Sequence, residues 1–301
     1  MLTLASDFGS PYPAAMRAAI RQHSDAEILD VAHDFPRQDV RTAAFWLREV
    51  LPYAPPAVHC AVIDPTVGSD RAAIAIRVGE HALVAPDNGL VLPTARRLRI
   101  PQPVAGDGLR GVDEAARLLD TAGEAEAVTA SASTEIETFE IVVEDSPSST
   151  FHGRDVFSPA AALIHERGVA DMEDCPFLEP TEEFVDLRFP EPEWRGRDDG
   201  IDEEGSTEVD AEVLVVDGEV LVVDDFGNAI TNVPGSALEG HDRVLVDGGS
   251  WPVRDHYATV DSGEGLVTVG SHGNVELAVN LGRGDDRFGV EVGTELSLRL
   301  E

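Results

Sequence analysis

Residues 58–63 constrain this chain more than any other stretch. Val58, Cys60, Ala61, Val62 and Ile63 are apolar, and only His59 interrupts them. A strand that is apolar on both faces has no side to offer to water, so it belongs inside a sheet covered above and below, as in parallel α/β sheets. Its surroundings agree with that reading. Strands are predicted over 2–6 and 26–31, with helices over 12–22 and 40–51 that carry apolar residues such as Phe45 and Trp46 on the core side. A hairpin is predicted over 73–85, turning at Gly79 and Glu80.

Three of these strands end alike. The first runs into Asp7-Phe8-Gly9, the buried one into Asp64-Pro65-Thr66-Val67-Gly68 with Arg71 close behind, and the hairpin into Pro86-Asp87-Asn88-Gly89. In an open α/β sheet, ligands bind outside the carboxyl ends of the strands, so parallel neighbours would bring these loops to one edge. Plainer readings exist for two of them: Asp7 as a helix cap, and 86–89 as a simple turn. A fourth stretch, Thr150-Phe151-His152-Gly153-Arg154-Asp155, places an imidazole, a guanidinium and a carboxylate within four positions. Ser158 reads as an N-cap and Pro159 as a first-turn proline, which predicts a helix over 159–167 closed by Gly168 and leaves His152 on a loop before it. Taken alone, that loop is better read as a structural turn in which Arg154 and Asp155 pair, and it is the other three loops that shift the balance toward chemistry.

A further helix is expected over 109–121. Residues 122–149, rich in Ala, Glu, Ser and Thr, are expected to form a surface excursion with one strand over 139–143. The acidic, proline- and glycine-containing stretch 181–210 has the composition of a linker. Beyond it the pattern becomes all β. The pentapeptides at 212–216 and 219–223 are identical, and Asp217-Gly218 between them predicts a two-residue hairpin. Short strands over 243–246, 266–269, 275–279 and 295–300 follow, as in a small barrel. Two of the intervening loops carry polar groups: Asp224-Asp225-Phe226-Gly227-Asn228, and Ser271-His272-Gly273-Asn274. The predicted organisation is an α/β domain with a mostly parallel central sheet over 1–180, a linker over 181–210, and an all-β, barrel-like domain over 211–301.

Composition narrows the function. The net charge is -35 and every basic side chain is arginine, with no lysine. With 43% hydrophobic residues the chain has an ordinary core, so the acidity reads as that of a halophile and not as disorder. Nucleic acid is not an expected partner, since phosphate binding needs clustered basic residues and none cluster here. No apolar run reaches the length of a membrane span and no basic leader precedes the first strand, so a cytoplasmic protein without membrane contact is expected. Two cysteines, Cys60 and Cys175, suggest buried thiols; no His pair has metal-ligand spacing, and no metal is expected.

Taken in order, the loops at Asp7, Asp64 with Arg71, Asn88, His152, Asp224 to Asn232 and Ser271 to Asn280 resemble the S-adenosyl-L-methionine (SAM) hydroxide adenosyltransferases, relatives of the fluorinase and chlorinase enzymes. The resemblance spans nearly the whole chain. It implies hydrolysis of SAM to adenosine and L-methionine without a cofactor, by a homotrimer whose sites lie between subunits. It also assigns a catalytic trio to Asp64, Arg71 and His152, ribose binding to Asp7, and substrate contacts to Asn88, Asp224, Phe226, Asn228 and Ser271. In the halide-using fluorinase of this superfamily, tyrosine stands where His152 is and serine where Gly153 is, so the residues here favour water. The competing expectations are a halide-using chlorinase-type enzyme, a metal-dependent phosphohydrolase using Asp7, Asp64, Asp87 and His152, and a sensor that binds SAM or adenosine without turnover.

Overall fold

The computed structural model describes residues 1–69, 71–100, 135–143, 150–195 and 215–300. These divide into two compact units, Met1–Arg188 and Phe189–Glu301. The expected helix over 109–121 and most of the expected excursion lie outside the described residues. So does 196–210 of the expected linker. The described part of that stretch is shared out. Val185 donates to Asp87 in the first unit, whereas the short strand at Glu193–Arg195 pairs within the second.

The first unit is built on a seven-stranded sheet. Its strands are β1 (Leu2–Ser6), β2 (Ile28–Ala32), β3 (Val58–Val62), β4 (Ala73–Val78), β5 (His81–Pro86), β6 (Ile136–Ile141) and β7 (Leu178–Pro180), in the spatial order β2-β1-β3-β5-β4-β6-β7. The strands β2, β1, β3 and β5 run parallel, and β4, β6 and β7 extend the sheet by antiparallel pairing. All five residues of β3 are buried, as its sequence requires of a strand covered on both faces. Alternation along the strands sorts the core. Leu2, Leu4, Val58, Cys60 and Val62 share one cluster with Met16 and Ile20 of α1 (Tyr12–Arg21) and Ala161 and Ile164 of α4 (Ser158–Arg167).

Helix α2 (Val40–Val50) packs against α3 (Leu92–Leu98). Asp39 caps α2, its carboxylate accepting from the Thr42 amide at 3.0 Å and the Thr42 hydroxyl at 2.7 Å. The strand expected over 139–143 is β6, an interior member of the sheet between β4 and β7, so this part of the expected excursion is core.

The second unit is antiparallel throughout its named strands. These are β8 (Glu193–Arg195), β9 (Val215–Val223), β10 (Ala229–Pro234), β11 (Arg243–Val246), β12 (Gly249–Pro252), β13 (Gly265–Val269), β14 (Asn274–Val279) and β15 (Glu295–Leu300). They follow the order β12-β11-β15-β9-β10-β14-β13, with β8 paired to β9. Val253, just past β12, meets Val267 of β13 in a parallel bridge, and the Arg254 amide donates to the Val267 carbonyl at 3.0 Å, so the sheet nearly closes into a barrel. Val216, Val220, Leu277 and Leu298 fill its interior.

The hairpin expected at Asp217-Gly218 does not exist. β9 runs straight through both residues, which pair with Ser297 and Leu296 of β15. Gly218 serves close approach instead of turning. A Cβ there would lie 2.5 Å from the Val233 side chain and 2.7 Å from the Asn232 side-chain oxygen, the same oxygen that accepts from the Glu219 amide.

Candidate active site

The parallel order β1-β3-β5 brings three acidic loops to one edge of the sheet. Asp7, Asp64 and Asp87 each follow the carboxyl end of one of these adjacent strands. Their side chains do different things. The Asp64 carboxylate is gripped by both terminal nitrogens of Arg71, and one of its oxygens also accepts from the Thr66 amide at 3.0 Å. The Thr66 hydroxyl accepts from Arg71 at 2.9 Å, so this side chain helps hold the guanidinium. Only 2% of the Asp64 side chain and 14% of the Arg71 side chain are exposed. The Arg71 Nε is buried and has no hydrogen-bond partner among the described residues.

Asp64 lines a cavity of about 480 Å³ together with His152, within the range of small-molecule sites. Arg71 acts on that wall through its pair with Asp64. Phe8, Tyr12 and Phe151 form an aromatic side of the same cavity, their rings meeting edge to face with centroids 5.4 to 6.4 Å apart. Arg37 and Arg154 also line it.

His152 is not on a free loop, as the sequence suggested. It caps one π-type turn, Gly153–Phe157, that runs directly into α4, and Ser158 is a helical residue with no capping bond. The helical element therefore starts earlier than the Ser158-Pro159 signal indicates, because the buried Val156 and Phe157 belong to its core face. Such widened turns often sit at functional sites. Gly153 is needed there: a Cβ would lie 2.8 Å from a ring carbon of Phe8, so only glycine lets the loop after β1 rest on this turn. Arg154 does pair with Asp155, at 2.6 and 2.7 Å, and its guanidinium also covers the Phe151 ring.

The other expected contacts of this unit are placed at the same edge but engaged with backbone. Asp7 is 8% exposed and accepts from the Gln38 amide at 2.7 Å. Asn88 donates to the Ile63 carbonyl at 2.8 Å and accepts from the Leu90 amide at 3.2 Å, tying the end of β5 to the loop that carries Asp64.

In the second unit, Asp224 to Asn228 form the turn between β9 and β10. The Asp224 carboxylate accepts from the Asn228 amide at 2.8 Å and from its side-chain nitrogen at 3.0 Å, and Phe226 stands 79% exposed at the tip. Ser271 is exposed on the loop between β13 and β14. Two residues that the sequence reading passed over join these loops. Glu276 accepts from the Tyr257 hydroxyl at 2.9 Å and is 3.0 Å from His272 Nε2, while Asn228 reaches the Tyr257 oxygen at 3.5 Å. Burial first, then the bond to Glu276, raises the phenol pKa of Tyr257. A glutamate inside the apolar run of β14 was the available signal.

Among the described residues, no group of three or more His, Cys, Asp and Glu side chains could hold a metal ion. No helix of the described residues is long and apolar enough to cross a membrane. Cys60 and Cys175 are buried free thiols.

Comparison with known proteins gives a consistent result. The family model for the SAM hydroxide adenosyltransferase N-terminal domain matches residues 2–108, and that for the C-terminal domain of the same family matches residues 218–297. A protein of Salinispora tropica named (R)-S-adenosyl-L-methionine hydrolase is 35% identical, over 98% of this chain and 96% of its own length. A protein of the same name from Thermus thermophilus is 33% identical, over 97% of each. Among solved structures, a conserved protein of Thermotoga maritima aligns with a TM-score of 0.68 and 26% identity over 99% of both chains. A conserved protein of Thermus thermophilus aligns with a TM-score of 0.62 and 29% identity, over 100% of this chain and 99% of its own.

Proposed function

The chain belongs to the SAM hydroxide adenosyltransferase family, and we propose on that footing that it hydrolyses S-adenosyl-L-methionine to adenosine and L-methionine. The observation that carries the mechanism is the Asp64 carboxylate, fixed through both oxygens by Arg71 on the wall it shares with His152.

The substrate is a sulfonium, so its thioether leaves neutral and needs no acid. The difficulty lies with the nucleophile. A water oxygen forms a bond to the ribose 5′ carbon as the C5′–S bond breaks, the electron pair of that bond passes to sulfur, and the water gives up a proton. For this the water must be held in line with the C–S bond at about 3 to 3.5 Å. A guanidinium stays protonated in proteins, so Arg71 contributes fixed positive charge that stabilises a developing hydroxide. Asp64 and His152 supply the hydrogen-bonding groups that orient the water and receive its proton. Asp7 holds the ribose hydroxyls, Asn88 contacts the substrate, and Asp224, Phe226, Asn228 and Ser271 meet its methionine and adenine ends. We assign these two groups of residues to one site formed between neighbouring subunits of a homotrimer; sedimentation of the purified protein as a monomer would remove that assignment.

The test is to incubate pure protein with SAM, with and without chloride and with and without a chelator, and to separate the products by chromatography. Adenosine and methionine in equal amounts are expected in every arm. A 5′-halogenated nucleoside would point to halide chemistry, chelator-sensitive activity to a metal enzyme, and unconsumed SAM to a binding protein.

The halophilic reading makes its own prediction. A net charge of -35 repels itself over a screening length of about 30 Å at 0.01 M salt but only about 3 Å at 1 M. Tm, measured calorimetrically at fixed pH, is expected to rise steadily from millimolar to molar NaCl; a salt-independent Tm would contradict it.

A further inference from the structure

We infer that Glu276 is a positioning residue that sets the substrate-binding loops of the second unit, acting through Tyr257 and His272. The inference rests on the hydrolase reading and extends it to residues behind the substrate contacts.

Glu276 lies in β14 between Val275 and Leu277, both fully buried, and is itself 5% exposed. A carboxylate at such a position is costly unless its oxygens are bonded, and here each has a different partner. One accepts from the Tyr257 hydroxyl at 2.9 Å, and the other is 3.0 Å from His272 Nε2. These partners lead to separate loops. The Tyr257 oxygen lies 3.5 Å from the side-chain nitrogen of Asn228, which also donates to Asp224, so the phenol bears on the turn at 224–228. His272 adjoins Ser271, and its Nδ1 accepts from the Asn274 amide at 3.1 Å, which fixes the ring within the 270–274 loop.

The backbone is shaped to this arrangement. A Cβ on Gly270 would sit 2.2 Å from a Glu276 carboxylate oxygen and 2.4 Å from His272 Nε2, so that loop closes directly on the pair. From the far side, the Gly273 carbonyl accepts from the Gly235 amide at 2.7 Å, and the Asn274 side chain donates to the Thr231 carbonyl at 2.7 Å. One buried carboxylate thus links both segments that carry the substrate contacts Asp224, Asn228 and Ser271. None of this requires Glu276 to touch the substrate.

A group that holds binding loops without meeting the reacting atoms should act on KM more than on kcat. Glu276→Ala is expected to raise KM for SAM about tenfold, in line with the loss of a charge-assisted hydrogen bond, with the smaller share of the effect on kcat. Glu276→Gln, which keeps an acceptor for the phenol, should stay closer to the wild-type KM. Tyr257→Phe keeps the ring and removes only the hydroxyl link; it should raise KM about threefold or more, and it decides the matter if Glu276→Ala fails to fold by circular dichroism. Wild-type protein that does not hydrolyse SAM overturns the hydrolase reading and this inference together. Wild-type turnover with unchanged KM in Tyr257→Phe and in folded Glu276→Ala overturns this inference alone.

Discussion

Arg71→Ala and His152→Ala are each expected to lower kcat by at least about tenfold to a hundredfold, the usual worth of one electrostatic or acid–base partner. The two variants should differ in a second readout. Removing Arg71 leaves the Asp64 carboxylate, whose side chain is only 2% exposed, without the guanidinium that meets both its oxygens. Breaking a buried pair from one side costs about 3 to 5 kcal/mol, so Arg71→Ala should also lower Tm. Arg71→Lys keeps the charge but loses the forked grip, and should recover stability better than rate. His152 is half-buried on the cavity wall, and its removal should reduce turnover with little change in Tm. The measurement is steady-state kinetics well below each variant's Tm, beside calorimetry. Near-normal kcat in both alanine variants would remove the mechanism, and a fall in Tm without one in kcat would leave the Asp64–Arg71 pair as a loop-fixing bond only.

The second large effect concerns stability in acid. His59, fully buried in β3, is 2.9 Å from the Thr3 hydroxyl through Nδ1 and 2.9 Å from His81 Nδ1 through Nε2, with the two imidazoles stacked. Burial, reinforced by the neighbouring His81, lowers the His59 pKa to about 3, and burial lowers that of His81 as well against the opposing charge of Glu80. In the unfolded chain these groups take up a proton near pH 6.5, and in the folded protein His59 resists it. Below pH 6.5 the unfolded state therefore binds more protons, so stability is complete above that pH and drains away as pH falls toward 3. The His59 contribution amounts to on the order of 3 to 5 kcal/mol at the acid limit. Carboxylates whose pKa is lowered in the fold, such as Asp30 and Glu137, add their own loss only below their ordinary values of 3.8 and 4.5. The interval from pH 6.5 to 4.5 thus isolates the histidines. Urea unfolding at about pH 7 and about pH 5 should show wild-type protein losing about 2 kcal/mol to His59, and His59→Gln should lose correspondingly less. Equal pH slopes in the two proteins would dismiss the account.

Patterns that arise within one element were legible in the sequence. The all-apolar run at 58–63 became the doubly covered β3, and Gly168 ends α4 with a φ of 101°. The recurrence of acidic loops after successive strands also had its physical consequence, since β1, β3 and β5 are parallel neighbours. Where the reading failed, a tertiary contact had replaced a local rule. Asp217-Gly218 has turn chemistry, yet Gly218 is glycine because Asn232 and Val233 press on it from the next strand. Ser158 has capping chemistry, yet the helical element has already begun at the π-type turn after His152.

What the sequence determined by itself was therefore the succession of an α/β and a β unit, and which short loops carry carboxylates, imidazole and guanidinium, because those follow from periodicity and residue type. Tertiary structure alone decided that Arg71 grips Asp64 on the wall containing His152, and that Glu276 inside a strand joins Tyr257 to His272. The reason is physical: such bonds form between atoms brought within about 3 Å by chain packing, and sequence separation carries no record of that distance.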